Sequence, residues 1–399
     1  SNPDWKKVSP NKIATLSDGD GWILTAGDGT TYVIKEGETG GFDVSQVNIN
    51  AVVAAASLAA GFGGTAGIAL AAAVSDATNV ILTDTNAYIE LSNVESAGDV
   101  VLDAENTAEM NATVVSLSVA LSAGGSAGIG ASIGAALAHN FIGFNADGSD
   151  AQSQVTAHIT NSSVNAAGDL TQTATAEQTI NALVIAGSAA VGVGGAAGLG
   201  ISGSGVLAEN KIGIEVKSYI NRDGATGIIA DNVSLTAVDI STISSFAGAA
   251  SLAAAVGGGV GGALSIGVSL AQNIITTAVE AYIANADTGV TARDGDITLK
   301  ADEMSTIRAT SAAASVAAGF GGAAGIAISG AGAVAENYIL TSTQAYGLES
   351  NLVASGNVDI DALNNSLIDA TIFSASAAVA VGATAGVGAS IGVAIARNY

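Results

Sequence analysis

Apolar and polar positions alternate through six stretches of this chain, and each stretch has the same length. Counted from Ile49, Met110, Ile180, Ile243, Ile307 and Ile368, an asparagine stands thirty residues on in every copy: Asn79, Asn140, Asn210, Asn273, Asn337 and Asn398. Serine recurs eight residues past each start (Ser57, Ser118, Ser188, Ser251, Ser315, Ser376), and alanine ten past (Ala59, Ala120, Ala190, Ala253, Ala317, Ala378). Glycines stand fourteen and eighteen past: Gly63 and Gly67, Gly124 and Gly128, Gly194 and Gly198, Gly257 and Gly261, Gly321 and Gly325, Gly382 and Gly386. Between the second glycine and the asparagine, even positions hold glycine, alanine or serine, with Val206 the exception. Odd positions hold most of the bulk, as at Ile326, Ile328, Val387, Ile391, Val393 and Ile395. A period of two is the strand period; a helix would spread both classes around its circumference. Each cassette is therefore predicted to run strand, glycine-flanked turn of three residues, strand. The paired glycines are expected to supply positive φ angles and close backbone approach.

The polar stretches between cassettes absorb all the length variation, with 31, 40, 33, 34 and 31 residues from each asparagine to the next start. They repeat as well. Ala87-Tyr88-Ile89, Ala157-His158-Ile159, Ser218-Tyr219-Ile220, Ala281-Tyr282-Ile283 and Ala345-Tyr346-Gly347 hold one equivalent place. Gly98-Asp99-Val100, Gly168-Asp169-Leu170, Gly295-Asp296-Ile297 and Gly356-Asn357-Val358 hold another, each a turn feeding a short strand. Fixed-period self-similarity marks a repeat architecture. The fold class expected is all-β: an elongated β-solenoid-like rod of six coils of 61–70 residues over 49–399, the last incomplete. Small inward faces should pack on one another, with the recurring alanines between them. Residues 1–48 form a separate piece, in which Trp22-Ile23-Leu24-Thr25 and Thr31-Tyr32-Val33-Ile34 flank Gly27-Asp28-Gly29 as a hairpin. Its tryptophans, Trp5 and Trp22, are expected to cover the first coil.

Proline occurs at Pro3 and Pro10 and nowhere later, as backbone paired nearly throughout requires. Cysteine is absent, so disulfides and thiolate sites are excluded. The net charge of −24 argues against nucleic acid, whose phosphates need a basic stripe. Aromatic residues are 4% of the chain, too few for a core of large interdigitated rings. The Gly-x-x-x-Gly spacing also suits a membrane helix, but parity opposes it. Six hairpins would equally build an outer-membrane β-barrel or a membrane-active toxin segment. Against that stand a small dry inward face and cassettes without tyrosine or tryptophan girdles.

Candidate chemistry is sparse. His139 and His158 occupy unlike repeat positions, and no Ser-His-Asp arrangement emerges. No catalytic residue is assigned and the chain reads as a non-enzyme. Asn145-Ala146-Asp147-Gly148-Ser149-Asp150 offers calcium the carboxylates of Asp147 and Asp150, and Asp18-Gly19-Asp20 offers Asp18 and Asp20. Neither has the EF-hand pattern, so each reads first as a solvated turn. The six asparagines have two assignments: an amide ladder along the axis, or six separate turn caps. The stretch Leu170-Thr171-Gln172-Thr173-Ala174-Thr175 is a single candidate for an ice- or polysaccharide-binding threonine array.

The run Gly98-Asp99-Val100-Val101-Leu102-Asp103-Ala104 and its copies resemble the rung signature of filamentous-haemagglutinin-type β-helices. Alternated with alanine- and glycine-rich cassettes ending in Ala-x-Asn, they resemble giant repetitive surface proteins of the leukotoxin-type filamentous adhesins. The opening Asn2-Pro3-Asp4-Trp5-Lys6-Lys7-Val8 is similar to spacer units in those proteins. The resemblance covers about residues 43–399. It implies a secreted, extracellular segment of a bacterial cell-surface protein, packed against neighbouring repeats of a longer chain, and it implies no catalytic residue. An apolar outer face, left over from the parity pattern, is a candidate for homo-association into fibres. A host surface or polysaccharide stays open as a partner.

Overall fold

The computed structural model describes residues 47–399 in full and, before them, the backbone of four strands: Ile13–Leu16, Trp22–Thr25, Thr31–Glu36 and Phe42–Val44. Those four form an antiparallel sheet in chain order, with Trp22 opposite Ile34 and Ile23 opposite Val33. The expectations for the side chains of Trp5 and Trp22, and for Asp18 and Asp20, lie outside the described residues.

From Val47 onward the chain is a β-solenoid. Six outgoing arms end at the first cassette glycine: Val47–Gly63, Val100–Gly124, Leu170–Gly194, Thr242–Gly257, Thr306–Gly321 and Leu367–Gly382. Six return arms follow: Ala66–Ile81, Ala127–Ile142, Ala197–Ala230, Val260–Ala284, Ala324–Leu348 and Ala385–Asn398. Outgoing arms pair with outgoing arms of the next coil, parallel and in register, as Ala59↔Ala120, Ala190↔Ala253 and Ala317↔Ala378 show. Return arms pair likewise, with Asn79↔Asn140↔Asn210↔Asn273↔Asn337↔Asn398 in one row. The arms of one cassette are thus not a hydrogen-bonded hairpin. They form an arch, meeting through side chains while their backbone bonds run along the rod. This corrects the hairpin premise of the barrel reading, since an antiparallel meander needs the two arms bonded to each other.

Inward side chains shrink toward the tip of the arch. At its root lie Met110, Ile180, Ile243 and Ile307, then Val114 and Val184, all buried with Ile142, Ile212 and Ile275 of the return arms. Further out Ala253, Ala255, Ala263, Ala317 and Ala327 make up the core. Burying a smaller residue at each step lets the two sheets converge into a thin blade. At the other end of the cross-section the polar stretches wrap a wider head filled with Val155, Ile159, Leu170, Ile214, Ile220, Ile228, Leu235, Ile283, Ile297 and Leu299. The large buried hydrophobic residues are therefore concentrated in the head and at the root of the arch; the interior of the blade beyond them takes the small ones.

The cassette glycines differ from expectation. None of the twelve has a positive φ; among the described glycines that region holds Gly143, Gly148, Gly227 and Gly289. The reversal is a two-residue bend, such as Gly64-Thr65 or Gly125-Ser126, and each second glycine lies inside the return arm. What demands glycine is proximity. A Cβ on Gly63 would stand 1.9 Å from the Ala66 carbonyl oxygen, and one on Gly128 would stand 2.0 Å from that of Val193.

The residues that do turn the coil by positive φ were not foreseen. Leu91, Asn161, Arg222, Asn285 and Glu349 have φ between 46° and 62°. Each sits three residues after the Tyr or His of its coil, at one corner of the head. Asparagine tolerates that region; leucine, arginine and glutamate adopt it at a cost, held there by the in-register pairing on both sides.

Candidate functional site

Three of the side-chain rows that run along the axis carry candidate chemistry, each made by one or two positions of the repeat. The first is the asparagine row. Asn79 Nδ2 donates to Asn140 Oδ1 at 2.8 Å, Asn140 to Asn210 at 2.8 Å, Asn210 to Asn273 at 2.8 Å, Asn273 to Asn337 at 2.8 Å and Asn337 to Asn398 at 2.9 Å. The four central members are fully buried. Each amide spans the spacing between adjacent strands, about 4.8 Å, by donating one way and accepting the other. Of the two assignments open in the sequence, the geometry is that of the ladder.

The second row is a serine zigzag. The serine eight residues into the cassette meets one on the return arm twenty-two residues in. Ser188 and Ser202 hydroxyls lie 2.7 Å apart; Ser251 donates to Ser202, Ser265 to Ser251, Ser315 to Ser265, Ser329 to Ser315, Ser376 to Ser329 and Ser390 to Ser376, all at 2.9 Å. Ser132 and Ser118 make the same contact at 2.8 Å. The recurring serine is thus half of a chain of hydroxyls that stitches the two sheets of the blade together. Neither histidine contacts these hydroxyls: His139 Nδ1 is 2.8 Å from Glu209 Oε2, and His158 is stacked in the aromatic row with its Nδ1 3.4 Å from the Thr156 hydroxyl.

The third row lies on the head. Tyr88, His158, Tyr219, Tyr282 and Tyr346 stack ring on ring, with centroids 5.3, 4.8, 4.9 and 4.9 Å apart and planes within 11° of parallel. Burial in the stack lowers the pKa of His158, so the neutral ring is favoured, and raises those of Tyr219, Tyr282 and Tyr346. His158, Tyr219 and Tyr282 have neighbours on both ring faces.

Two acids escaped the sequence reading. Asp239 and Glu303 are paired in register where the head meets the blade, and both are fully buried. Ser241 donates to Asp239 at 2.8 Å, and Thr277 to Glu303 at 2.8 Å, while Ser305 bridges toward both. Burial, and for Asp239 the neighbouring Glu303, hold both pKa values above the ordinary carboxylate range. The signal available was positional. The same row holds Asn106, Ala176 and Asn364, and each is at inward parity. Glu209 behaves oppositely: burial pushes it up, but bonds from Lys211 and His139 outweigh that and leave it lowered.

The calcium candidate is a self-satisfied turn. Asp147 Oδ1 accepts from the Ser149 amide at 3.0 Å and hydroxyl at 2.6 Å, which lowers its pKa, and Gly148 N donates to the Asn145 carbonyl at 2.8 Å. Asp150 lies across a bridge from Phe144. Among the described residues no three His, Asp or Glu side chains converge. The threonine stretch does not extend into an array: Thr171, Thr173 and Thr175 have Val101, Asp103 and Glu105 beside them on the preceding coil.

The outer surface of the blade is the remaining candidate. None of the 35 acids and 11 bases falls within 51–75, 112–136, 182–206, 245–269, 309–333 or 370–394. Outward positions there carry Leu183, Leu199, Ile201, Leu252, Ile266, Phe320, Ile326 and Ile328, all exposed, while serines such as Ser118, Ser188, Ser251 and Ser315 face inward. Polar residues return at the blade root on both sheets, in the rows Asn111–Asn181 and His139–Glu209. No family model, curated protein or solved structure matches the chain.

Proposed function

We propose that the chain is a structural repeat region of a secreted bacterial cell-surface adhesin or filament, and that it has no catalytic role. The observation that carries this reading is the fate of the chemistry-bearing side chains. Asparagine amides and tyrosine rings are spent on the equivalent group one coil away, and serine hydroxyls on serines of the facing sheet, which builds continuity along an axis and uses these groups within the rod. The resemblance to filamentous adhesins supports the same assignment.

The dimensions favour a wall or fibre component over a simple spacer. Each coil uses 61–70 residues and advances the axis by one strand spacing, about 4.8 Å. A 25-residue arm such as Leu170–Gly194 extends about 80 Å across it. Nearly all of the chain is therefore invested in width. The test is surface display: bacteria carrying the chain on an outer-membrane anchor, compared with bacteria carrying the anchor alone, scored for cell–cell and cell–surface attachment. Attachment above the anchor control is the expected result; none in either assay overturns the proposal.

A further inference from the structure

We infer that the blade is a self-association surface, and that its partner is a second copy of this chain laid blade against blade. The inference rests on the reading of the chain as structural and adds what covers its apolar faces.

Both faces of the blade are suited to it. The outgoing-arm face presents Leu183, Phe246, Leu252, Val256, Val316 and Phe320, each 38–45% exposed. The return-arm face presents Leu199, Ile201, Ile266, Val268, Ile326 and Ile328, each 38–47% exposed. Eleven residues of arm and six paired strands make each face about 37 Å by 29 Å, roughly 1,000 Å². One face on one face would bury about 2,000 Å² in all, above the roughly 1,600 Å² typical of stable specific complexes. Apolar patches of this size are far larger than a monomer ordinarily exposes.

Charge fixes the arrangement. The six blades hold no charged residue, so the net charge of −24 belongs wholly to the rest of the chain. Two copies overlapping only along their blades, with heads at opposite ends, bring apolar faces together while keeping like-charged heads apart. Because the two faces are alike in area and chemistry, covering one leaves the other free for a third copy. The association is therefore an open stack instead of a closed dimer.

A lipid bilayer is the competing apolar medium, and flotation with vesicles separates the two.

The experiment is sedimentation velocity of the whole chain from about 1 to 100 μM, with three variants: Leu252→Lys/Phe320→Lys on the outgoing face, Ile266→Lys/Ile328→Lys on the return face, and all four together. These positions are solvent-exposed, and an unchanged β-type circular dichroism spectrum checks that each variant folds. Wild type should grow beyond a dimer with concentration, each two-site variant should stop at a dimer, and the four-site variant should remain monomeric. Flotation with phosphatidylcholine vesicles runs in parallel. A monomeric wild type overturns the inference, as does association that survives all four lysines, or vesicle binding without association in buffer. A monomer of unaltered width leaves the structural-repeat proposal standing, whereas attachment failure on cells with intact stacking removes that proposal alone.

Discussion

The direction of donation along the asparagine ladder makes an asymmetric prediction. Asn210 accepts from Asn140 and donates to Asn273, and all three are fully buried. Asn210→Asp changes almost no volume. At neutral pH it keeps the acceptor and loses the donor, leaving Asn273 Oδ1 facing a carboxylate. An orphaned buried acceptor costs about 1–3 kcal/mol, and breaking a buried charged pairing about 3–5 kcal/mol, so the variant should lose about 3–5 kcal/mol at pH 7. Acidification should relieve the loss, because a protonated carboxyl can donate to Asn273. Within residues 47–399, Asn398 accepts from Asn337 and donates to no other side chain of the ladder. Asn398→Asp should therefore cost less than about 0.5 kcal/mol, in line with surface changes generally. Urea unfolding followed by circular dichroism, at matched m-values, reads both. An Asn210→Asp variant within about 0.5 kcal/mol of wild type would refute the ladder as a stabilising element. A larger loss at Asn398 than at Asn210 would contradict the direction of donation.

Ala190 is fully buried between coils, and Ala190→Leu should overpack the blade by about 1–3 kcal/mol; an unchanged melting curve would show the sheets are farther apart than described. Asp239 and Glu303 both have raised folded pKa values, so the folded chain binds more protons than the unfolded one. The stability linked to this pair is then fullest below the unfolded carboxylate pKa of about 4 and declines as pH rises toward the raised folded values. Asp239→Asn/Glu303→Gln should flatten that decline, which denaturation midpoints between pH 4 and 8 will measure; an identical pH profile would remove the pair from the account. Leu91 holds a φ of 49° at an exposed corner. Leu91→Asn should raise the unfolding free energy by up to about 1 kcal/mol, and a loss of stability would mean the corner is set by the leucine side chain.

Much of the fold is legible in the sequence because side-chain parity and backbone pairing obey the same period. Invariant cassette length places Asn79, Asn140 and Asn210 in register, and alternation assigns Ala120 and Ala190 to the interior, where both are fully buried. What stayed hidden is what crosses between sheets. Ser118 and Ser132 are fourteen residues apart, a spacing with no meaning until the arch folds at its midpoint and brings positions eight and twenty-two together. The glycines were recognised as a reversal signal, but their cause is contact with carbonyls such as those of Ala66 and Val193. The left-handed corner escaped because its five occupants, Leu91, Asn161, Arg222, Asn285 and Glu349, share a backbone conformation and not a side-chain type. Asp239 and Glu303 escaped because one coil holds alanine at that place.

In-register stacking of one coil on the next is the claim on which all the ladders depend, and a distance series tests it directly. The chain contains no cysteine, so paired cysteines can carry nitroxide labels without background. Val52, Thr113, Leu183, Phe246, Thr310 and Thr371 share one outward row. From Thr371, labels at Thr310, Leu183, Thr113 and Val52 should give backbone separations rising in steps of about 4.8 Å per coil, near 5, 14, 19 and 24 Å. Separations that do not rise in proportion to coil number, or a Val52–Thr371 distance far from about 24 Å, would contradict the parallel solenoid.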